Sequence, residues 1–223
     1  MAIMWHGGNK WEGEPEIRAA KRGRAEWGPG IYGTSNYFRA SQYAKGGKVT
    51  RLVEFQPRLF LEQAAIGLTT LTQFVNEHAP RSKQTDILER LESAAARNLI
   101  GKREQLGDGA MVHAEVILNM WVNTDLAHGQ RGPALSEFLS GMGIDAHSSR
   151  SMSFDGTPEH WSVVFNTETI TRHDVIRSKD VDSELWYLPS PIETPGLTIA
   201  THLVNTLGME DDEPSQSPTM RMG

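Results

Sequence analysis

Apolar residues near both ends of this chain recur with the short period of β-strands rather than the longer period of helices. Residues 48–56 place Val49 and Leu52 among polar neighbours, and a compact apolar run lies between Pro158 and Asn166. Strands are predicted over residues 3–7, 48–56, 144–147, 161–165 and 171–177.

The middle of the chain instead repeats apolar residues every three or four positions, which is the period of an amphipathic helix. Ile87, Leu88, Leu91 and Ala95 follow this spacing in one stretch. Helices are predicted from Thr69 or Thr70 through Val75 and over residues 37–44, 83–99, 110–122 and 133–141. Shorter helices are predicted to open at Pro15 and to cover residues 198–207.

Strands at both ends and helices between them predict an α+β fold, and a length of 223 residues suits one domain. We expect a domain over residues 1–208 that carries a helical insert over residues 68–142. Residues 209–223 combine an acidic run with proline and serine, and this composition predicts a disordered tail.

Composition narrows the functional classes. A net charge of −6 argues against a protein held on nucleic acid mainly by bulk charge. There is no apolar run long enough for a membrane helix and no secretory signal, so we expect a cytoplasmic protein without membrane contacts. The absence of cysteine and the spacing of His113, His128 and His147 predict no metal site.

Three short motifs stand in a fixed order near the N-terminus. Trp5-His6-Gly7 ends the first strand, Gly30-Ile31-Tyr32 follows a glycine-rich turn, and Tyr43 comes 11 residues after Tyr32. The combination resembles the ADP-ribosyltransferase fold of the His-Tyr-Glu class, the diphtheria-toxin-like and poly(ADP-ribose)-polymerase-like branch. The resemblance implies a split β-sheet core that binds NAD as a substrate and breaks its nicotinamide–ribose bond.

The same resemblance implies roles for individual residues. His6 would hydrogen-bond a ribose hydroxyl, and the backbone of Gly7 would hold the nicotinamide amide. Tyr32 and Tyr43 would stack on the two faces of the nicotinamide ring. Many members of the family have a serine three residues before the second tyrosine, whereas this chain has Ala40.

That departure leaves one amide contact to be supplied by Thr34 or Ser35, which lie shortly after Tyr32. A second departure concerns the catalytic glutamate, because aligning the late apolar strand with the family pattern puts Trp161 at its position.

Three alternatives for this acid stay open. Glu159 shares a strand face with Trp161, about 7 Å away, and is the first candidate; a bulge in the strand would instead bring His160 to the site. The acid could come from Asp155 or Glu115, or the site could lack one. The catalytic set is therefore predicted as His6, Tyr32 and Glu159.

The resemblance implies a mono-ADP-ribosyltransferase that releases nicotinamide and transfers ADP-ribose to a macromolecule, whether protein, RNA or DNA. Taken with the size of the chain and the lack of a signal, the resemblance implies a toxin or a phage-conflict effector, and the helical insert is a possible antitoxin-binding surface. An NAD glycohydrolase and an inactive module that binds NAD or ADP-ribose are the alternatives.

Overall fold

The computed structural model of the protein describes residues 1–8, 11, 13–21, 25–44, 50–99, 110–152, 156–176, 181, 186–194, 196–199 and 201. The strands are β1 (Ala2–Gly7), β2 (Ile31–Thr34), β3 (Thr50–Phe55), β4 (Leu59–Phe60), β5 (Ala65–Gly67), β6 (Met111–His113), β7 (Ile144–Met152), β8 (Pro158–Val164) and β9 (Ile170–Ile176). The helices are α1 (Tyr37–Tyr43), α2 (Leu68–His78), α3 (Arg81–Leu99), α4 (Ala114–Asn123) and α5 (Arg131–Gly141). Within the described ranges, no helix has the length and apolar character needed to cross a bilayer.

Seven of the strands form one sheet in the order β4-β7-β8-β2-β1-β3-β9, and β5 and β6 form a separate two-stranded antiparallel sheet. All neighbours in the large sheet are antiparallel except β4 and β7. The protein is therefore a mixed helix-and-sheet fold with a large, mostly antiparallel sheet. The α+β class expected from the sequence pattern agrees with this architecture.

Two groups of helices cover one face of the sheet. The larger core packs α2 to α5 against β8, with Leu71, Trp121 and Val163 at its centre, all fully buried. A smaller core packs α1 against β1, where Trp5 meets Tyr37 edge-on at a centroid distance of 5.0 Å. These two cores hold α1 and the helical segment side by side over the same sheet.

Three predicted elements differ from the structure. Met111–His113 is not helical, because it pairs with β5 before α4 begins at Ala114. β7 extends to Met152 rather than ending at residue 147, because its polar second half pairs with β8 along its whole length. The described residues after Pro15, through residue 21, form no helix. The tail over residues 209–223 and nearly all of the helix predicted over residues 198–207 lie outside the described residues.

Candidate functional site

The site is centred where β1 meets β2, the two neighbouring strands of the described sheet that share the fewest paired residues. β1 pairs with β3 along all six of its residues, but its register with β2 consists of Trp5 opposite Thr34. Past Trp5, the side chain of His6 bridges the two strands, and its Nδ1 lies 2.7 Å from the carbonyl oxygen of Tyr32. The His-Gly motif and the backbone of the first tyrosine are thus adjacent in the structure.

This hydrogen bond fixes the tautomer of His6. A carbonyl oxygen can only accept, so Nδ1 carries the hydrogen and Nε2 of the neutral ring keeps its lone pair. Burial lowers the pKa of His6 below its ordinary value; the hydrogen bond to Tyr32 opposes this shift, and the positive charge of Arg51 adds to it. His6 therefore offers Nε2 as a hydrogen-bond acceptor near neutral pH.

Two glycines that follow His6 each allow a close approach, Gly7 by α1 and Gly8 by the imidazole. A Cβ on Gly7 would lie 1.7 Å from the carbonyl oxygen of Ala40, so only glycine lets α1 pack this closely on β1. A Cβ on Gly8 would lie 2.6 Å from Nε2 of His6, in the approach to its free lone pair. Gly8 therefore borders the site, although the sequence pattern did not predict it as a site residue. Its position directly after His6-Gly7 could have indicated it.

Tyr32 is held by its hydroxyl group. The hydroxyl donates to the carbonyl oxygen of Gly28 at 2.6 Å and accepts from the backbone N–H of Trp27 at 3.1 Å. Burial raises the pKa of the Tyr32 phenol, so the hydroxyl stays protonated and keeps both bonds. Gly28 has a φ of +92°, which favours glycine in this turn. These two hydrogen bonds therefore hold the ring of Tyr32 in one position.

Tyr43 has a different environment. It lies at the end of α1, is 57% exposed, and meets Trp161 edge-on at a centroid distance of 6.0 Å. Trp161 pairs with Thr34, and Tyr32 precedes Thr34 by two residues on the same sheet face, a step of about 7 Å. Tyr32 and Tyr43 therefore approach one sheet face, although the described residues show no contact between their rings.

Glu159 is buried at the start of β8, where it joins three elements. Its Oε1 accepts a hydrogen bond from the hydroxyl of Thr34 at 2.7 Å, and Nε of Arg39 lies 3.7 Å from Oε2. The Thr34 hydroxyl also accepts from the backbone N–H of Asn36, the N-cap of α1. Glu159 is only 1% exposed, so its charge is compensated inside the protein. Arg39 is a site residue that the sequence analysis missed.

The hydroxyls proposed to replace the missing serine already have partners. Thr34 bonds Glu159, and the hydroxyl of Ser35 accepts from the backbone N–H of His160 at 2.9 Å. The β8 ladder continues through Ser162 without a register shift, so no bulge turns His160 toward Trp161. The alternative that depended on that bulge is not realised in this structure.

The other candidate acids are placed elsewhere or not described. Glu115 lies in the first turn of α4, close to Glu62 and His147. No described contact joins it to Glu159. Asp155 lies outside the described residues. Among the described residues, no hydrogen bond joins His6 to Glu159.

Comparison of the chain with protein-family models, with curated proteins and with solved structures gives no match in any of the three. The functional argument therefore rests on the residues and their geometry. Nε2 of His6 can accept a hydrogen bond from a hydroxyl group, and a flat ring can stack on Tyr32. The buried carboxylate of Glu159 lies further along β8, four residues from Val163, which pairs with Tyr32.

Proposed function

We propose that the protein is an NAD-dependent mono-ADP-ribosyltransferase with the split-sheet fold of that family. The observation that carries the proposal is the neutral His6 at the gap between β1 and β2. Its Nδ1 is fixed on Tyr32, and its Nε2, beside Gly8, has no hydrogen-bond partner among the described residues. The resemblance of the motifs and the short β1–β2 register, which leaves the sheet nearly divided at this point, agree with it.

In this proposal, a ribose hydroxyl of NAD donates its hydrogen to Nε2 of His6. The nicotinamide carboxamide forms hydrogen bonds with the backbone of Gly7. In the described ladder between β1 and β2, Trp5 is the last residue of β1 that is paired, so Gly7 lies beyond it. Tyr32 supplies a rigid ring and Tyr43 an adjustable one, and stacking contributes about 1 kcal/mol per face. NAD is the substrate, and the protein needs no further cofactor for this step.

Cleavage of the glycosidic bond passes through an oxocarbenium-like transition state. The bond between ribose C1′ and the nicotinamide nitrogen breaks, and nicotinamide leaves with both bonding electrons. A nucleophilic atom of the acceptor then bonds C1′ and loses its proton to solvent or to a nearby base. Glu159 would stabilise the positive charge, since a carboxylate held in place before the reaction needs no reorganisation.

A second function is favoured by one observation. Both oxygens of Glu159 face protein partners, Thr34 and Arg39, and the carboxyl group is almost fully buried. This arrangement also suits a protein that binds NAD or ADP-ribose without cleaving it. An NAD glycohydrolase, in which water replaces the acceptor, would use the same pocket.

One experiment separates these functions. Purified protein is incubated with adenine-labelled NAD and a cell lysate, and portions are then treated with nuclease or with protease. Label lost only with protease identifies a protein acceptor, and label lost only with nuclease identifies RNA or DNA. Free ADP-ribose without labelled macromolecule indicates a glycohydrolase, and intact NAD bound to the protein indicates the inactive module. Failure to bind NAD at all contradicts the whole proposal.

The cellular role belongs to the same proposal. A cytoplasmic toxin or phage-conflict effector is the role that the resemblance implies, and the helical segment next to the site offers a surface for an antitoxin as partner. Expression in a bacterial host, comparing growth of wild type with that of the His6→Ala variant, tests it. Equal growth would argue against toxicity.

A further inference from the structure

Three possible metal ligands from separate elements meet beside β7. Glu62 belongs to the 3₁₀ turn Leu61–Gln63, Glu115 to the first turn of α4, and His147 to β7. One ligand atom from each residue lies within 4.8 Å of the other two. The sequence predicted no metal site because these residues are far apart along the chain.

The two inner members of this cluster carry buried polar atoms that lack hydrogen bonds. His147 is only 7% exposed, and its Nδ1 lies against Oε1 of Glu62 but forms no hydrogen bond. Oε2 of Glu62 is also buried, and no described residue forms a hydrogen bond with it. Each unsatisfied buried group costs about 1–3 kcal/mol, so a ligand that bonds these atoms would stabilise the fold.

The charges of the cluster point to a cation as that ligand. Two carboxylates approach one imidazole, and no lysine or arginine in the described ranges forms an ion pair with Glu62 or Glu115. A bound divalent cation would remove the repulsion between the carboxylates. It would also occupy the lone pairs of Nδ1 and Oε2 that the protein leaves unused.

The surroundings hold two of the three ligands in position. The backbone N–H of Ser148 donates to Oε1 of Glu62 at 2.8 Å, and Trp27 stacks on His147 with a centroid distance of 5.9 Å. Such outer partners commonly orient metal ligands. Glu115 is exposed, which gives an ion an entry path and leaves one ligand free to close on it.

We propose that Glu62, Glu115 and His147 bind a divalent cation of the Zn²⁺ or Mn²⁺ class. One imidazole nitrogen with carboxylate oxygens suits either ion, and three protein ligands leave a position for water. The cation would fasten the Leu61–Gln63 turn and α4 to β7.

This inference does not depend on NAD chemistry. His147 pairs with Val163, and Val163 pairs with Tyr32, so the cluster lies two strands from Tyr32, about 10 Å away. Metal binding and NAD binding can therefore be measured separately. If the protein binds no metal, the proposal that it binds NAD still stands, and the converse also holds.

The test uses the full chain, freed of metal by a chelator and titrated with Zn²⁺ and, separately, with Mn²⁺. Bound metal per chain is measured after gel filtration, and the unfolding midpoint is followed by differential scanning fluorimetry. We expect one ion per chain and a raised midpoint. The main variant is Glu115→Gln, since its exposed side chain is not needed for packing; metal affinity should fall by about tenfold or more.

His128→Ala is the matched control. Nδ1 of His128 lies 3.3 Å from Oδ1 of Asp125, which makes a histidine–carboxylate pair outside the three-residue cluster. Its metal affinity should equal that of wild type. Failure of both ions to bind wild type, equal binding by wild type and Glu115→Gln, or an equal loss in His128→Ala would each overturn the proposal.

Discussion

Substitution of Gly8 by alanine tests the proposed role of His6 without altering the imidazole itself. The new Cβ would lie 2.6 Å from Nε2, whereas ordinary contacts between such atoms need about 3.5 Å, so the ring must move by about 1 Å. A movement of this size would stretch the 2.7 Å bond from Nδ1 to Tyr32 beyond hydrogen-bonding distance.

The expected loss follows from the bonds at risk. If the methyl group only blocks Nε2, one hydrogen bond to ribose is lost; if the ring moves, the bond to Tyr32 is lost as well. Each is worth about 1 kcal/mol, so NAD affinity should fall about five- to thirtyfold. Isothermal titration calorimetry with NAD measures this fall directly.

Gly141→Ala is the matched control, because a Cβ at the end of α5 meets nothing within 4 Å. Its NAD affinity should equal that of wild type. Thermal unfolding of both variants checks that neither loses the fold. If Gly8→Ala binds NAD as tightly as Gly141→Ala does, Nε2 of His6 is not the acceptor for NAD.

Four further predictions concern the same site. Tyr43→Ala should weaken NAD binding about fivefold, because it removes one stacking face. Phe38→Ala, which removes an equally exposed aromatic ring from α1, should leave NAD affinity unchanged. If calorimetry gives the same affinity for both variants, Tyr43 does not contact NAD. Glu159→Gln should keep NAD bound but lower nicotinamide release by orders of magnitude; near-normal release would show that this carboxylate is not used. NAD affinity should stay constant down to pH 6.5 and decline only below it. Burial lowers the pKa of His6, and a protonated Nε2 cannot accept a hydrogen bond. A decline in NAD affinity centred above pH 6.5 would contradict the proposal that His6 is neutral. The same lowered pKa makes His6 reduce folding stability as the pH falls below 6.5, since the unfolded chain takes up the proton first.

Sequence patterns predicted the elements whose apolar period is regular. α2, α3, α5 and the apolar part of β8 were found because their buried residues repeat at fixed spacing. The second half of β7 was missed because it is polar, and its strand conformation depends on pairing with β8. β6 was read as helix because a three-residue apolar segment has no period of its own.

Within the site, local motifs were more informative than distant pairs. His6, Gly7 and Tyr32 lie in short motifs whose order along the chain could be read directly, and the structure joins His6 to Tyr32. The bond between Thr34 and Glu159 links residues 125 positions apart, and no single-sequence pattern reveals it. The Glu62–Glu115–His147 cluster was missed for the same reason, since tertiary packing alone assembles it.

The way Glu159 is held bears on its proposed catalytic role. Thr34 fixes one oxygen at 2.7 Å, which is a short hydrogen bond, but Arg39 stands 3.7 Å from the other, longer than the 2.7–2.9 Å typical of charge-assisted bonds. The Arg39 side chain is 27% exposed, so solvent reaches the guanidinium but not the carboxylate of Glu159. A purely structural carboxylate would be expected to have its charge paired tightly. Glu159 instead has a fixed position and loose charge compensation, which is the arrangement that stabilising a transient cation requires.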